Sequence, residues 1–169
     1  MRDIPTHLRV FSIKMVAAIL PDDRLRQAAP AVFYGDEAGV TGGEDPFNRV
    51  TYPWSDLAGI PDPAMLADYK RLIRLRNTHT ILRRGSIDAP AYIDAHVIVL
   101  IRRAGRHLAI TATNNDAAPH TISIMLPTGG AEPVSFTEAL TGARIDRAGR
   151  SVTFTVPALF GTMFEDSLK

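Results

Sequence analysis

The chain has 169 residues, 46% of them hydrophobic and 22% charged, which is typical of one globular domain or of a small domain with an appendage. A formal net charge of +1 provides no field that would attract a nucleic acid or a membrane surface. The absence of cysteine excludes a disulfide framework and a thiolate metal site.

The sequence shows no targeting or membrane signal. No apolar run approaches the roughly 18 residues that a membrane helix requires. The N-terminus lacks a compact apolar segment followed by a small-residue cleavage site. We therefore expect a cytoplasmic protein, although a chain truncated at its start would also have lost such a signal.

Residues 1–30 predict helices. The stretch from Leu8 to Leu20 has poor helical periodicity and is apolar nearly all round, as in a buried helix. Pro21 and the two aspartates after it predict the end of this helix and the N-cap of the next one. A short helix over residues 24–29 then ends at Pro30.

Residues 31–54 carry the polar features that indicate a ligand site. Ala31–Tyr34 predicts a short strand, which ends at the Gly-Asp-Glu triplet of residues 35–37. A long, glycine-rich polar loop follows. A strand that ends in carboxylates and opens into such a loop is typical of the ligand-binding edge of a parallel α/β protein, and loops of this length are more often functional than idle.

The clearest helix is predicted over Pro61–His79. Asp62 is the N-cap and Pro63 is the first helical residue. Six residues fall on one stripe of this helix: Met65, Leu66, Tyr69, Leu72, Ile73 and Arg76. His79 is interpreted as a helix-end residue and not as a metal ligand, because no second histidine or carboxylate lies at i+4.

From Ser86 onward the pattern alternates with a period of two, which indicates strands. Seven strands are predicted, with turn signals between them, and together they indicate an antiparallel Greek-key sandwich. The predicted strands are Ala91–Ile93, His96–Arg103, His107–Asn114, His120–Leu126, Val134–Glu138, Ser151–Val156 and Gly161–Glu165. His96, His107 and His120 are too scattered to indicate a zinc site.

Several motifs resemble one known family. YGDE, TGGEDPFNR and YPW resemble the end of the eighth barrel strand and the following loop of the α-amylase family of glycoside hydrolases, in the branch of neopullulanase, cyclomaltodextrinase and maltogenic amylase. LADYKRLIRLRNTHTILRRGS resembles the last barrel helix of that family, with Thr80 in place of the usual proline. VPALFGTMFE resembles the end of its C-terminal domain.

The resemblance implies a fold that is α+β by content. Because a (β/α)8 barrel takes about 250 residues, residues 1–85 would form an N-terminal helical remnant of the barrel, with its last strand, loop and helix. Residues 86–169 would form the antiparallel Greek-key β-sandwich.

The resemblance also implies sugar-binding residues. Asp45 and Arg49 match the loop residues that hydrogen-bond sugar hydroxyls on the non-reducing side of the cleaved bond, which suits a carboxylate acceptor and a planar guanidinium donor. In the alternative interpretation, the two pair with each other in an ordinary salt-bridged turn. Trp54 either stacks on a sugar face or packs as an anchor that closes the loop.

The catalytic residues implied by the family are an Asp nucleophile, a Glu acid and a second Asp that stabilises the transition state. Asp3 is the candidate for the last role, although Arg2 stands where the family has histidine; otherwise Asp3 is a frayed, solvated residue. Asp36 and Glu37 are adjacent, so we expect them to point to opposite faces and to be structural groups.

The resulting hypothesis is the C-terminal fragment of a retaining, α-glucan-acting glycosidase that is inactive alone. The alternatives are a non-catalytic carbohydrate-binding module and a protein that self-associates through Ala31–Tyr34. The expected partners are an α-glucan oligosaccharide and either a second copy or a complementing barrel fragment. No cofactor and no metal ion is expected.

Overall fold

Helices precede strands in the protein, as the sequence predicts. The structure, a computed structural model, describes residues 32, 35–40, 49–87, 89–128 and 135–167. In these ranges the helical elements are two short 3₁₀ helices and two α-helices: Asp36–Ala38, Ser55–Leu57, α1 (Pro63–Thr78) and α2 (Thr80–Arg84). The predicted strand Ala31–Tyr34 and the predicted helices before it lie outside the described residues, apart from Val32.

Helix α1 begins where the sequence predicts. The Asp62 carboxylate accepts hydrogen bonds from the backbone N–H groups of Ala64, at 2.9 Å, and Met65, at 3.0 Å. The buried residues of α1 are Met65, Tyr69, Leu72 and Leu75. The predicted stripe was therefore wrong in two places, since Ile73 is exposed and Leu75 is buried.

The residue after α1 separates the two α-helices. His79 has φ −98° and ψ 102°, an extended conformation, although its N–H still donates to the carbonyl of Leu75 at 3.1 Å. The chain then turns into α2, which the sequence did not predict as a separate element. Leu75, Ile81 and Leu82 pack together against Ala109 and Met163 of the sheet that follows.

The nine strands of the described chain form one antiparallel sheet with the order β1-β3-β4-β9-β6-β7-β8-β5, and β2 also pairs with β3. Their bounds are β1 Ser86–Ile87, β2 Tyr92–Ile93, β3 Val97–Ala104, β4 His107–Asn114, β5 His120–Met125, β6 Ser135–Glu138, β7 Arg144–Ala148, β8 Ser151–Val156 and β9 Gly161–Ser167.

Strand β7 carries the sheet from one layer to the other. It pairs with β6 through residues 144–146 and with β8 through Arg147 and Ala148. Strand β7 is not among the predicted strands, because its sequence signals a turn at Arg147 and Ala148, and that prediction was wrong. The chain instead turns at Gly149, which has φ +64°, a conformation that favours glycine.

The core lies between the two layers, and the sandwich prediction is confirmed. Inward-facing residues alternate along the strands, as with Val97, Val99 and Ile101 of β3. The rings of Phe154 in β8 and Phe164 in β9 lie 5.1 Å apart and join the layers. The core also contains Leu108, Ile110, Ala112, Ile122, Ile124, Leu126, Phe136, Val152 and Val156.

The helices lie on the outer face of the layer that contains β4 and β9. Arg71 of α1 donates to the carbonyl of Leu140 at 3.1 Å, and the His79 imidazole contacts the Glu165 carboxylate of β9. The division into residues 1–85 and 86–169 stays a prediction. No helix of the described ranges is long and apolar enough to cross a membrane.

Candidate functional site

The Gly-Asp-Glu-Ala-Gly turn of residues 35–39 folds tightly on itself. Gly35 and Gly39 have φ values of +86° and +74°, and they flank the 3₁₀ helix. The N–H groups of Ala38 and Val40 both donate to the carbonyl of Gly35 at 3.0 Å. A Cβ at position 35 would lie only 2.8 Å from Val40 Cγ2, so the turn is built for glycine.

This turn packs against the start of α1. The N–H of Asp62 donates to the carbonyl of Ala38 at 2.9 Å, and Ala38 is only 2% exposed. A Cβ at Gly39 would lie 3.1 Å from Asp62 Cβ, which indicates how closely the two backbones approach. The helix N-terminus therefore fixes the position of the acidic turn.

Asp36 and Glu37 lie in a 3₁₀ helix, so the extended geometry expected for these two residues was wrong. Both carboxylates act on Tyr69, whose phenol has a raised pKa because of burial first and then the charges of Asp36 and Glu37. Glu37 Oε2 is buried and has no hydrogen-bond partner within the described ranges. The pair is half-buried against α1, in keeping with a structural role.

The segment over residues 49–60 presents aromatic and apolar surface. The rings of Tyr52 and Trp54 lie 4.6 Å apart with their planes at 47°. Trp54 is 57% exposed, so the interpretation as a packed anchor was wrong. Leu57 and Ile60 are also exposed. Trp54 therefore remains largely accessible beside Tyr52.

Backbone contacts fix this segment locally. The N–H groups of Leu57 and Gly59 donate to the carbonyl of Trp54 at 3.0 and 2.9 Å. A Cβ at Gly59 would lie 2.3 Å from the carbonyl carbon of Pro53, a distance that no side chain can occupy. The aromatic pair therefore lies at the start of a backbone turn that these hydrogen bonds close.

The predicted sugar-binding residues are only partly covered by the structure. Arg49 is described and its side chain is exposed at the start of the aromatic segment. Asp45 and Asp3 lie outside the described residues. The pairing of Asp45 with either a sugar or Arg49, and the role of Asp3 in transition-state stabilisation, stay predictions.

Two histidines meet at one end of the sandwich. The rings of His96 and His120 lie 5.8 Å apart, and His120 Nε2 lies 2.8 Å from Asp116 Oδ2. Asp94 accepts from the Tyr92 hydroxyl at 2.7 Å, and this bond is the largest cause of its pKa of about 2. The described part of the chain contains no group of three or more histidine or acidic side chains placed to hold a metal ion.

A cleft of about 340 Å³ opens beside strands β8 and β9 and the turn after β6. Its walls are mainly apolar, with Arg71 and Glu138 among the polar groups. The Glu138 carboxylate is already occupied, because it accepts from the N–H of Leu140 at 3.0 Å and the hydroxyl of Thr162 at 3.1 Å, among others. The apolar lining residues are Leu140, Ala143, Ile145, Phe154, Pro157, Phe160 and Phe164.

Two buried charged residues were missed by the sequence analysis. Glu138 is 6% exposed and Arg102 is 4% exposed, although charged residues in strands are usually solvated. A weak signal existed at Arg102, which stands in a strand with the apolar pattern of a sheet covered on both faces.

The chain was compared with known proteins, and the similar sequences include an amylopullulanase and a cyclomaltodextrinase. No protein-family model matches the chain. It is 30% identical over 144 residues to an amylopullulanase of Thermoanaerobacterium saccharolyticum, which covers 78% of this chain and 11% of that protein. It is 34% identical over 94 residues to a cyclomaltodextrinase of a Bacillus species, covering 55% of this chain and 16% of that protein.

The fold has solved counterparts. A structure of an Anoxybacillus α-amylase, described as a glycosyl hydrolase, superposes with a TM-score of 0.73 at 19% identity. The superposition covers 98% of this chain and 33% of that one. The chain thus spans only a small part of the proteins it matches. These matches confirm that the chain is related to the α-amylase family of glycoside hydrolases and resembles a C-terminal fragment of such an enzyme.

Proposed function

We propose that the chain is the C-terminal part of a retaining glycosidase that acts on α-glucans, and that it contributes sugar contacts through Asp45 and Arg49. The observation that carries this proposal is the similarity to an amylopullulanase and a cyclomaltodextrinase. The exposed position of Arg49 agrees with it, because the planar donor fork of an arginine suits neighbouring sugar hydroxyls.

The aromatic pair next to Arg49 supports the same role. Trp54 is tilted against Tyr52, and more than half of its surface is accessible. A ring in this position packs against the apolar face of a sugar while charged groups bind its hydroxyls. Three residues of one segment would then contact a single oligosaccharide.

We further propose that the chain alone does not hydrolyse glucans. Retaining hydrolysis requires two carboxyl groups about 5–5.5 Å apart, one as nucleophile and one as acid. The adjacent pair Asp36 and Glu37 is half-buried beside Tyr69, and an oxygen of Glu37 is enclosed. These two carboxylates are therefore poor candidates for the nucleophile and the acid.

Calorimetric titration with maltotriose tests the binding proposal. Saturable binding by the wild-type chain is expected to be lost in both Arg49→Ala and Asp45→Ala. The matched control is Arg74→Ala, which removes an exposed arginine from α1. Equal binding by Arg49→Ala and the wild type would contradict the proposed contact, and release of reducing sugar by clean wild-type protein would contradict the proposed inactivity.

The cleft beside β8 and β9 favours one alternative, a non-catalytic carbohydrate-binding module. Its volume of about 340 Å³ lies within the usual range of small-ligand sites, and Phe160 provides an aromatic wall. In this case, maltotriose binding would survive Arg49→Ala and be lost in Phe160→Ala. The other alternative, self-association through Ala31–Tyr34, stays a prediction that size-exclusion chromatography tests.

A further inference from the structure

Two arginine side chains converge on one carbonyl oxygen. Arg102 Nη1 donates to the carbonyl of Leu82 at 3.2 Å, and Arg76 Nη1 donates to the same oxygen. Leu82 lies in the last turn of α2, where carbonyl groups have no partner within the helix. Two positive charges therefore share one neutral acceptor.

The elements of the fold bring these groups together. Along β3, Val99 and Ile101 point into the core, so Arg102 points to the opposite face, beneath α2. Helix α1 supplies Arg76, and the break at His79 turns Leu82 back towards both strand and helix. The convergence is thus fixed by three packed elements and not by a mobile loop.

No residue in the described part of the chain gives this arrangement a negative partner. Arg102 is 4% exposed, and its buried Nε atom has no hydrogen-bond partner among the residues that the structure describes. Within the described chain, no carboxylate bonds to the guanidinium of Arg76 or Arg102. Burial, followed by the charge of Arg76, lowers the pKa of Arg102 to about 10, and burial, followed by Arg83, lowers the pKa of Arg76.

Buried charges in proteins are normally paired, because an unpaired one loses its hydration without compensation. The carbonyl dipoles at the end of α2 compensate only in part, since that helix has a single turn and a half and its field falls off within one turn. A mobile anion would supply the missing charge, and the half-buried Arg76 leaves a side from which it can approach.

We propose that Arg76 and Arg102 form a binding site for a small oxyanion of the carboxylate or phosphate type, where α1 and α2 meet the sheet. Planar guanidinium forks match the oxygen spacing of such anions, which a monatomic halide does not reproduce. Arg83, exposed at the end of α2, adds positive charge at the approach. This site is separate from the sugar-binding segment and does not depend on its assignment.

Thermal unfolding of the full chain with inorganic phosphate tests the site. At constant ionic strength, adjusted with sodium chloride, the wild-type Tm is expected to rise with phosphate and to saturate, because the anion binds the folded state. Arg76→Gln is expected to remove this rise, while Arg74→Gln on the same helix leaves it unchanged. A wild-type Tm that does not respond, or an equal rise in Arg76→Gln, would overturn the proposal.

A conservative variant distinguishes binding of the anion by the planar guanidinium from attraction by its positive charge alone. Arg76→Lys keeps the positive charge but loses the planar fork, so the phosphate concentration at half-saturation is expected to rise by roughly tenfold. Sodium acetate replaces phosphate in a parallel series. A saturable response to either anion supports the site, whereas a response to chloride as large as that to phosphate contradicts an oxyanion site.

Discussion

The backbone N–H of Asp62 donates to the carbonyl of Ala38 at 2.9 Å, so the residue that caps helix α1 also holds the acidic turn before it. The side chain of Asp62 has a separate task, because its carboxylate accepts from the first N–H groups of α1. One residue thus links the helix that lies on the sheet to the segment that leads into the proposed sugar-binding residues.

Asp62→Ala removes the side-chain cap and leaves the backbone bond to Ala38 in place. We expect a loss of about 1 kcal/mol in the free energy of unfolding, measured by urea denaturation. Asp62→Ser retains a capping oxygen and is the matched control. If both variants lose equal stability, the side-chain cap is not the stabilising contact.

Glu138→Gln tests the buried carboxylate of β6. Its Oε2 accepts from Leu140 N–H at 3.0 Å and from the backbone and side chain of Thr141, while Oε1 accepts from Thr162. A glutamine offers one acceptor oxygen and would direct an NH₂ group at existing donors. We expect a loss of about 1–3 kcal/mol in the free energy of unfolding.

The control for this experiment is Asp146→Asn on the neighbouring strand. That carboxylate is exposed and lies 3.7 Å from the Arg144 guanidinium, so we expect a change of less than about 1 kcal/mol. Urea denaturation of both variants makes the comparison. A Glu138→Gln variant as stable as Asp146→Asn would show that the buried carboxylate is dispensable.

Much of this architecture could be predicted from the sequence, and the failures have physical causes. The observed bounds of β4 and β8 equal the predicted ones. Strand β8 alternates regularly between buried and exposed residues, whereas β4 is buried on both faces and is marked by the turn signals at its two ends. Strand β7 was missed because Arg144, Asp146 and Arg147 make it appear to be a polar turn. Its role is to cross between layers, so little of it is buried.

The candidate sites were harder to predict for a related reason. Sequence patterns treat charged residues as solvated, so they gave no sign that Glu138 is buried and only a weak one for Arg102. Glu138 is explained by the turn that it satisfies, which only the fold brings within reach. Arg49 was identified through the family resemblance. The hydrophobic pattern of the sequence around it would not have identified it as a binding residue.

Tyr92→Phe should raise the pKa of Asp94. The Tyr92 hydroxyl bond is the largest cause that holds the pKa of Asp94 near 2, below its ordinary value of 3.8. Because the folded pKa is depressed, the stabilisation is present above the unfolded pKa and is lost as the pH falls towards about 2. In Tyr92→Phe we expect this loss to be smaller and to be complete at a higher pH, because the folded pKa moves up towards the unchanged unfolded pKa.

Carboxyl-carbon NMR titration measures this pKa directly. His120→Gln is the comparison variant, because the charge of His120 is the smallest of the causes acting on Asp94. The shift in Tyr92→Phe should therefore exceed the shift in His120→Gln. The reverse order would mean that the charge of the histidine, and not the phenol, sets the acidity of Asp94.

Trp54 provides a direct optical test of the proposed sugar contact, since it is the single tryptophan of the chain and is 57% exposed. We expect maltotriose to shift its fluorescence to shorter wavelength and to reduce quenching by acrylamide, because a stacked sugar excludes water from the indole. Arg49→Ala should abolish both changes if Arg49 and Trp54 bind the same sugar molecule. Leu57→Ser alters an exposed apolar neighbour and should leave both changes intact. If calorimetry shows binding and Trp54 fluorescence does not change, the proposed contact at this segment is contradicted. The cleft lined by Phe160 would then be favoured as the binding site.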